Sequence, residues 1–215
     1  MASSDNLTVS DQLEMITSKY KSMKSLNCEW KFVGDWLKFG IQHYSDITGT
    51  ERTYELVQRT TRTHSKGVDG VDTIAIRTNP DGQKTIILVA VYRAPVGKLV
   101  LEFPAGLVDK GEELEQSAHR ELKEETGESG KIIAKSKPTF ADPWKSDETS
   151  VAFTMELNDS KKGTSTKLDE DEFLSKLEVP FDNLLATLEM AQDKFDLGVE
   201  SKLYTFALGL QLAKS

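Results

Sequence analysis

A stretch in the middle of the chain, GLVDKGEELEQSAHRELKEETG at residues 106–127, constrains the fold and the chemistry more than any other part of the sequence. Between its terminal glycines the spacing predicts a helix with Leu114 and Leu122 on the side that faces the core. Because successive helical residues lie about 100° apart, Glu121 and Glu125 fall on the edge of that apolar side. Carboxylates at this spacing repel one another, so a compensating cation is expected where the core meets a cleft.

Two interpretations of this acidic edge are open on the residues alone. A run of charges is most often a solvated face. Carboxylates beside an apolar stripe instead need a partner or a metal ion, and oxygen ligands of this kind suit Mg²⁺ or Mn²⁺. We therefore take Glu121 and Glu125 as candidate metal ligands, with Glu124 in reach and the carbonyl of Ala105 able to complete the site. The guanidinium of Arg120 either forms an ordinary surface ion pair or holds these carboxylates in a fixed orientation.

The fixed positions of the segment are Gly106, then Glu112 after five residues, then the run RELKEETG at 120–127 after seven more. This pattern resembles the Nudix box, the signature of hydrolases that cleave a nucleoside diphosphate linked to another group. Every fixed position of the box is present. One residue departs from the pattern, because Glu128 stands where the family usually carries an aliphatic residue that packs in the fold.

Composition limits the classes of function that fit the chain. It has 35 acidic and 27 basic residues and a net charge of −8, which disfavours binding to a nucleic-acid backbone. Cys28 is the single cysteine, so a reducing compartment fits. No apolar run has the length of a membrane span or the form of a signal peptide. We expect a soluble protein of the cytoplasm, with the nucleus left open as a second compartment, and no nucleic-acid or membrane partner.

Hydrophobic periodicity and turn residues predict a chain that contains both strands and helices. Residues 1–24 form either one amphipathic helix docked on the body or a disordered tail, and residues 158–170 form a polar loop. The remaining elements are expected to be strands at 36–41, 54–57, 72–77, 85–92, 98–103, 131–134 and 150–157, and helices at 181–194 and 200–213. The implied fold class is α/β (α+β): a Nudix-type mixed β-sheet between helices, with an N-terminal antiparallel β layer.

Three regions are expected along the chain. Residues 1–28 are a tail or short helix. Residues 29–65 are an N-terminal β region that contributes to a dimer and to base binding. Residues 66–215 are the Nudix hydrolase domain.

Beyond the box, the chain resembles the ADP-sugar pyrophosphatases, the branch of the family that cleaves ADP-ribose, from Trp36 to the C-terminus. The sequence LEFPAGL at 101–107 is close to the lead-in to the box in that branch. Pro143 lies sixteen residues past the last glycine of the box, as in the branch. Residues 52–62 resemble the stretch that holds adenine and phosphate, and Glu172 matches the position of a proposed catalytic base.

This resemblance implies a homodimer in which Trp36 of one subunit and Tyr54 of the other sandwich the adenine. The other residues with an implied role in binding the nucleotide-sugar substrate are Glu55 at the base edge, Arg59 and Arg93 at the diphosphate, and Leu107. The implied metal ligands are Ala105, Glu121 and Glu125, with Glu124 assisting. The implied catalytic residues are Arg120, Glu124 and Glu172.

Simpler readings stay open for several of these residues. Trp36 and Tyr54 could be strand residues of a core or interface, and Arg59 and Arg93 could form ordinary ion pairs. Tyr54 replaces a tryptophan found in some relatives. Trp144 stands where relatives commonly have glycine, so it could narrow the pocket or stack on the terminal sugar.

The leading expectation is an Mg²⁺-dependent hydrolase that converts ADP-ribose to AMP and ribose 5-phosphate. A second is hydrolysis of another nucleoside diphosphate derivative, such as a UDP-sugar or an oxidised guanine nucleotide. A third is a module that binds ADP-ribose without cleaving it. The presence of every glutamate of the box disfavours the third.

Overall fold

The computed structural model describes residues 7–62, 67–157 and 174–214. The chain divides into two compact units. One consists of Met1–Arg62 with Phe140–Glu148, and the other of Thr63–Thr139 with Thr149–Ser215.

The first unit contains the N-terminal antiparallel β layer that the sequence predicts. Helix α1 (Val9–Tyr20) is followed by three antiparallel strands in the order β1–β2–β3: β1 (Lys24–Val33), β2 (Leu37–Ser45) and β3 (Glu51–Arg59). The hairpin between β2 and β3 turns at Asp46, whose side chain accepts backbone N–H bonds from Thr48 and Thr50. Gly49 supplies the positive φ, 81°, that this turn requires. Cys28 lies on β1 as a half-buried free thiol.

Helix α1 is formed, but it is not docked. Thr8 and Asp11 make a reciprocal capping box that satisfies the first backbone N–H groups. None of the residues of the helix is buried. The weak apolar periodicity of this segment is therefore sufficient for a capped helix and insufficient to bury a face in the described structure.

The expected boundaries at residues 28 and 66 differ from the compact units in two respects. Strand β1 begins at Lys24, because its pairing with β2 extends back to that residue. Residues 140–148 join the N-terminal unit although they lie far along the chain. The backbone N–H of Val57 donates to the carbonyl of Lys145 at 2.8 Å, and Arg62 pairs with Asp147 at 2.7 Å.

The second unit is a mixed sheet with helices on both faces, as expected. Its helices are α2 (Leu114–Thr126), α3 (Leu184–Phe195), which follows a 3-10 turn at Phe181–Asn183, and α4 (Ser201–Leu212). The remaining strands in chain order are β4 (Gly70–Thr78), β5 (Lys84–Arg93), β6 (Lys98–Glu102), β7 (Ala105–Leu107), β8 (Gly130–Lys135), β9 (Thr139–Phe140), β10 (Thr149–Leu157), β11 (Leu174–Pro180) and β12 (Gly198–Val199).

The main path of this sheet runs β12–β6–β5–β4–β10–β8, with β11 against β5 and β7 against β4. The pairs β10–β4 and β12–β6 are parallel, whereas β4–β5, β5–β6, β5–β11 and β4–β7 are antiparallel. Strand β5 is buried along its centre because it lies between β11 on one edge and β4 and β6 on the other. Its continuous apolar run predicts this position.

Alternate residues of β5 contribute to two separate cores. Ile87 packs in the core that includes Ala118 and Leu122 of α2. Ile86 and Leu88 pack in the other core, on the opposite face of the sheet. The second core holds the apolar residues of the C-terminal helices, including the predicted Leu184, Leu185, Leu188, Leu203, Phe206 and Leu210.

Five strands have no counterpart among the expected strands: β1, β7, β9, β11 and β12. Strands β7, β9 and β12 are too short for a periodic signal, and the apolar residues of β11 do not alternate regularly. The predicted loop at 158–170 and the proposed base Glu172 lie outside the described residues. Within the described ranges, no helix is long and apolar enough to cross a membrane.

Candidate active site

The site is built on the short connection between β6 and α2. After β6 the chain turns through Pro104, whose carbonyl accepts the backbone N–H of Thr73 at 2.7 Å. Strand β7 then pairs antiparallel with β4, which sets Ala105 opposite Asp72. The backbone of residues 105–107 is thus fixed on a central strand of the sheet rather than left in a loop.

Two carboxylates of α2 reach this backbone. The Glu125 side chain, only 7% of whose residue surface is exposed, accepts the backbone N–H of Ala105 at 2.9 Å. The Glu121 carboxylate lies against Gly106 so closely that a Cβ at position 106 would stand 2.0 Å from its carboxyl carbon. Glycine is therefore required at this position by space. Glu121 and Glu125 converge on adjacent residues of β7, as their spacing on one helical edge predicts.

Arg120 lies among the carboxylates of the box. Its guanidinium donates to both oxygens of Glu112, at 3.0 and 2.9 Å. It also donates to Glu121 at 2.8 Å and to Glu124 at 3.1 Å. A further bond goes to the carbonyl of Leu107 at 3.0 Å. Arg120 thus supplies part of the positive charge that the repulsion among these carboxylates requires. Its several hydrogen bonds also have the geometry needed to hold the carboxylates in orientation.

Glu112 organises the loop that precedes α2. It accepts the hydroxyl of Ser117 at 2.7 Å and the backbone N–H of Asp109 at 3.3 Å. The hydrogen bond from Arg120 is the main cause that holds the pKa of Glu112 below its ordinary value, against the opposing effect of burial. Conversely, the bond to Glu112 is the main cause that raises the pKa of Arg120. Both groups are therefore ionised at neutral pH.

The residues that converge here fit a hard divalent cation. Within the part of the chain that the structure describes, no three acidic, histidine or cysteine side chains already stand together as a ligand cage. Arg120 holds Glu121 and Glu124, and an N–H group holds Glu125. The oxygen donors nevertheless face one strand, and oxygen is the donor that Mg²⁺ and Mn²⁺ prefer. Ala105 enters the arrangement through its N–H, and its carbonyl stays a predicted ligand.

Arg93, predicted to bind the diphosphate, is held by a residue that sequence reasoning did not single out. At the end of β5 it makes two parallel bonds to Glu102 of β6, at 2.8 and 2.6 Å. This pairing is the main cause that raises the pKa of Arg93, and Glu125 and Glu200 add to it through their charges. Arg93 therefore lies close enough to Glu125 for their charges to attract each other. The signal for Glu102 was an acid in the otherwise apolar run at 101–107.

A second charged group was also missed. The buried carboxylate of Asp72 accepts the hydroxyl of Ser150 at 2.7 Å and the ammonium of Lys202 at 2.5 Å. Lys202 also pairs with Glu200 at 3.1 Å. An open cavity of about 430 Å³ lies beside this group and is mostly apolar, with Phe103 among its lining residues. Pairs of this kind form between β4, β10 and α4, and no sequence spacing announces them.

The predicted adenine-binding residues lie on the three-stranded sheet. Trp36 and Tyr54 are both exposed, by 64% and 52%. The carbonyl of Trp36 accepts the N–H of Thr60, so Trp36 lies beside Thr60. Thr60 is six residues further along the chain than Tyr54 of β3. At about 3.4 Å per residue this separation is about 20 Å. Aromatic stacking places ring centroids about 4.5–7 Å apart, so the two residues of one chain cannot enclose the same base.

The other predicted residues of this unit are placed as follows. Glu55 is exposed on β3, and Arg59 forms an ion pair with Glu148 at 2.8 Å. Trp144 is exposed, and the ammonium of Lys145 lies 4.9 Å from the centre of its ring.

The chain is similar to a known protein family and to named proteins. The sequence profile of the NUDIX domain matches residues 69–197. The chain is 36% identical over 185 residues to a Mus musculus protein named ADP-sugar pyrophosphatase, covering 85% of this chain and 84% of that protein. It is also 36% identical over 197 residues to a Saccharomyces cerevisiae protein named ADP-ribose pyrophosphatase, covering 87% and 80%.

The fold has a counterpart among solved structures. A crystal structure described as an ADP compounds hydrolase superposes with a TM-score of 0.62 at 21% identity, over 89% of this chain and 95% of the other. The profile match covers the strand that holds Ala105 and the helix that carries the box glutamates. The chain therefore belongs to the Nudix hydrolase family.

Proposed function

We propose that this protein hydrolyses the diphosphate bond of ADP-sugars, chiefly ADP-ribose to AMP and ribose 5-phosphate, with Mg²⁺ or Mn²⁺ as the cofactor. The observation that carries the proposal is the convergence of Glu121 and Glu125 on the backbone of Ala105 and Gly106. The names of the mouse and yeast relatives support the substrate class.

In this proposal Glu121 and Glu125, assisted by Glu124 and the Ala105 carbonyl, hold the cation. When bound, it neutralises the diphosphate oxygens and lowers the pKa of a water molecule. Arg120 keeps the carboxylates in place by bonds that already exist without a ligand, so little reorganisation is needed when substrate arrives.

The reaction is an addition of water across one P–O–P bridge. The oxygen of water bonds to one phosphorus while the bond from that phosphorus to the bridging oxygen breaks. The bridging oxygen leaves with the other phosphate, and the two protons of water pass to the phosphates formed or to solvent. Arg93, already ordered by Glu102, and Arg59 are proposed to bind the diphosphate through their planar donor groups. Glu172, outside the described residues, is the proposed base.

The base-binding part of the proposal requires a homodimer. A base stacked on both sides gains about 1–3 kcal/mol from each aromatic contact, but Trp36 and Tyr54 of one chain stand about 20 Å apart. We propose that each pocket takes Trp36 from one subunit and Tyr54 and Glu55 from the other. Exposure of both rings in the single chain supports this arrangement.

The decisive experiment measures product release from a panel that contains ADP-ribose, ADP-glucose, UDP-glucose and 8-oxo-dGDP. With Mg²⁺ present, AMP and ribose 5-phosphate should form fastest from ADP-ribose, and excess EDTA should stop the reaction. Equal rates across the panel would contradict the ADP-sugar assignment. Tight binding of ADP-ribose without any product would favour the non-catalytic alternative.

The matched variants for this assay are Glu125→Gln and Glu115→Gln, both on α2. The first keeps an acceptor for the Ala105 N–H but loses the ligand charge, and kcat should fall at least about a hundredfold because metal stabilisation of charge contributes several kcal/mol. The second removes an exposed pair with Lys135 and should leave kcat unchanged. Near-normal activity of Glu125→Gln would remove this residue from the metal site.

A further inference from the structure

Glu128 is the one position that departs from the box pattern, and its side chain is buried among other charged side chains. Only 2% of the residue is exposed. Its Oε1 lies 2.9 Å from the guanidinium of Arg77 and 2.9 Å from the ammonium of Lys176. Glu178 stands 3.8 Å from each of these cations. A position that normally packs an aliphatic side chain is thus occupied by a carboxylate between two cations.

The partners of Glu128 belong to two different strands. Arg77 is on β4 and Lys176 is on β11, and these strands lie on opposite edges of β5. In the sheet register Arg77 faces Thr85 and Lys176 faces Val89 of β5. Glu128 itself follows directly after α2, beyond the left-handed Gly127 that ends the helix. The cluster therefore ties the C-terminal end of α2 to both sides of the central strand.

The two cations determine the charge state of Glu128. Burial raises the pKa of Glu128, but the hydrogen bonds from Lys176 and Arg77 outweigh that effect and hold its pKa below the ordinary value. The carboxylate is therefore ionised at neutral pH. A buried ion pair adds little net stability over a well-packed apolar pair, whereas loss of one partner leaves an uncompensated buried charge. Glu178 lies at a longer distance from the two cations and is more exposed than Glu128.

The fixed end of α2 lies three residues from Glu125. The position of α2 over β7 must be accurate, because the Glu121 carboxylate fits against Gly106 without room for one more carbon atom. A displacement of the last turn of α2 over the sheet would therefore move Glu125 away from the N–H of Ala105, and with it the convergence of the two carboxylates.

We propose that Glu128 is a positioning residue, whose ion pairs with Arg77 and Lys176 hold the last turn of α2 so that Glu121 and Glu125 converge on β7. This inference rests on the proposed function for its catalytic consequence, but its effect on cation binding is independent of the substrate.

The test compares Glu128→Gln with the wild-type protein in two assays. Binding of Mn²⁺ without substrate is followed by titration calorimetry, and turnover of ADP-ribose is followed by product release. We expect the dissociation constant for Mn²⁺ to rise about tenfold, as for other residues that orient metal ligands. We expect kcat to fall about 10- to 100-fold, the usual effect of misplacing reacting groups, with KM for ADP-ribose changed less than about twofold because the residues that grip the nucleotide are untouched.

Two further variants keep the outcome interpretable. Lys176→Gln removes one of the two cations while Arg77 still pairs with Glu128, so it should fold even if Glu128→Gln does not, and it should weaken Mn²⁺ binding in the same direction. Glu115→Gln is the control on the same helix, since its pair with Lys135 is exposed; Mn²⁺ affinity should not change.

The inference is overturned if both Glu128→Gln and Lys176→Gln lower the melting temperature while Mn²⁺ affinity and kcat at a temperature where they are folded match the wild type. That result would leave the cluster a purely structural role. Failure of the wild-type protein to hydrolyse ADP-ribose would instead contradict the proposed function, and the Mn²⁺ titrations would still decide whether Glu128 positions the ligands.

Discussion

The carboxylate of Glu121 occupies the space that a side chain at Gly106 would need. A Cβ at that position would lie 2.0 Å from the carboxyl carbon and 2.0 Å from one of its oxygens, far inside van der Waals contact. The glycine that opens the box is thus explained by the glutamate fifteen residues later, and the pair locates the helix over the strand.

Gly106→Ala should therefore inactivate the enzyme without unfolding it. The added methyl group forces Glu121 or the whole of α2 to move, and a displacement of about 1 Å costs about a hundredfold in rate. Product release from ADP-ribose and circular dichroism measure the two effects separately. Gly209→Ala on α4 is the matched control, because a Cβ there meets no atom within 4 Å; its activity should equal that of the wild type. An active Gly106→Ala variant would contradict the close fit.

Arg120→Lys should lower kcat at least about tenfold although the charge is kept. A lysine has one point charge in place of the planar fork that contacts Glu112, Glu121 and Glu124 together, and each lost bond to a charged group costs about 1.5–3 kcal/mol. Kinetics at increasing Mg²⁺ check the result, and the concentration for half-maximal rate should rise. Lys123→Arg, an exposed change on the same helix, should have no effect. Equal kinetics for Arg120→Lys and wild type would show that the fork is dispensable.

The pair of Glu112 and Arg120 predicts how stability depends on pH. Because the folded protein holds the pKa of Glu112 below its ordinary value of 4.5, this group contributes stability that is fully present above pH 4.5 and is lost as the pH falls through the lowered pKa. Glu112→Gln should thus destabilise the protein at pH 7, and the difference in free energy of unfolding should shrink below pH 4.5. Urea unfolding at a series of pH values measures it. A difference that stays constant down to pH 3 would contradict this linkage.

A shared base pocket can be tested by mixing two inactive variants. In a homodimer of Trp36→Ala, or of Tyr54→Ala, each pocket carries one lesion. In a mixed dimer one pocket carries both lesions and the other carries none. Random exchange of subunits makes about half of the dimers mixed, so about a quarter of the wild-type activity should return. If both residues served the same pocket of one subunit, mixing would restore nothing. Activity in a stable monomer would also contradict the shared pocket.

Most of the fold could be predicted from local sequence patterns. The continuous run of β5 predicts its central place, and the spacing of α2 predicts which edge carries Glu121 and Glu125. The C-terminal helices pack through the leucines that their periodicity selects. These predictions succeed because each depends on residues close together in the sequence.

The features that escaped prediction depend on residues far apart in the chain. Residues 140–148 join the N-terminal unit through Arg62 and Asp147, and Glu102 orders Arg93 across a hairpin. The ion cluster of Glu128 needs β11, which had no periodic signal of its own. The role of Arg120 is different, because its contacts with Glu121 and Glu124 are local and holding these carboxylates was one of the two readings of the sequence.

The carboxylates around Arg120 also bear on the form in which a nucleotide can approach the site. Three carboxylates, those of Glu112, Glu121 and Glu124, lie within 3.1 Å of a single guanidinium, and Glu125 follows on the same helix. A bare diphosphate that approaches them meets charge of its own sign. We therefore expect the divalent complex of the nucleotide to bind in preference to the free nucleotide, and the rate to follow the concentration of that complex rather than the total nucleotide concentration.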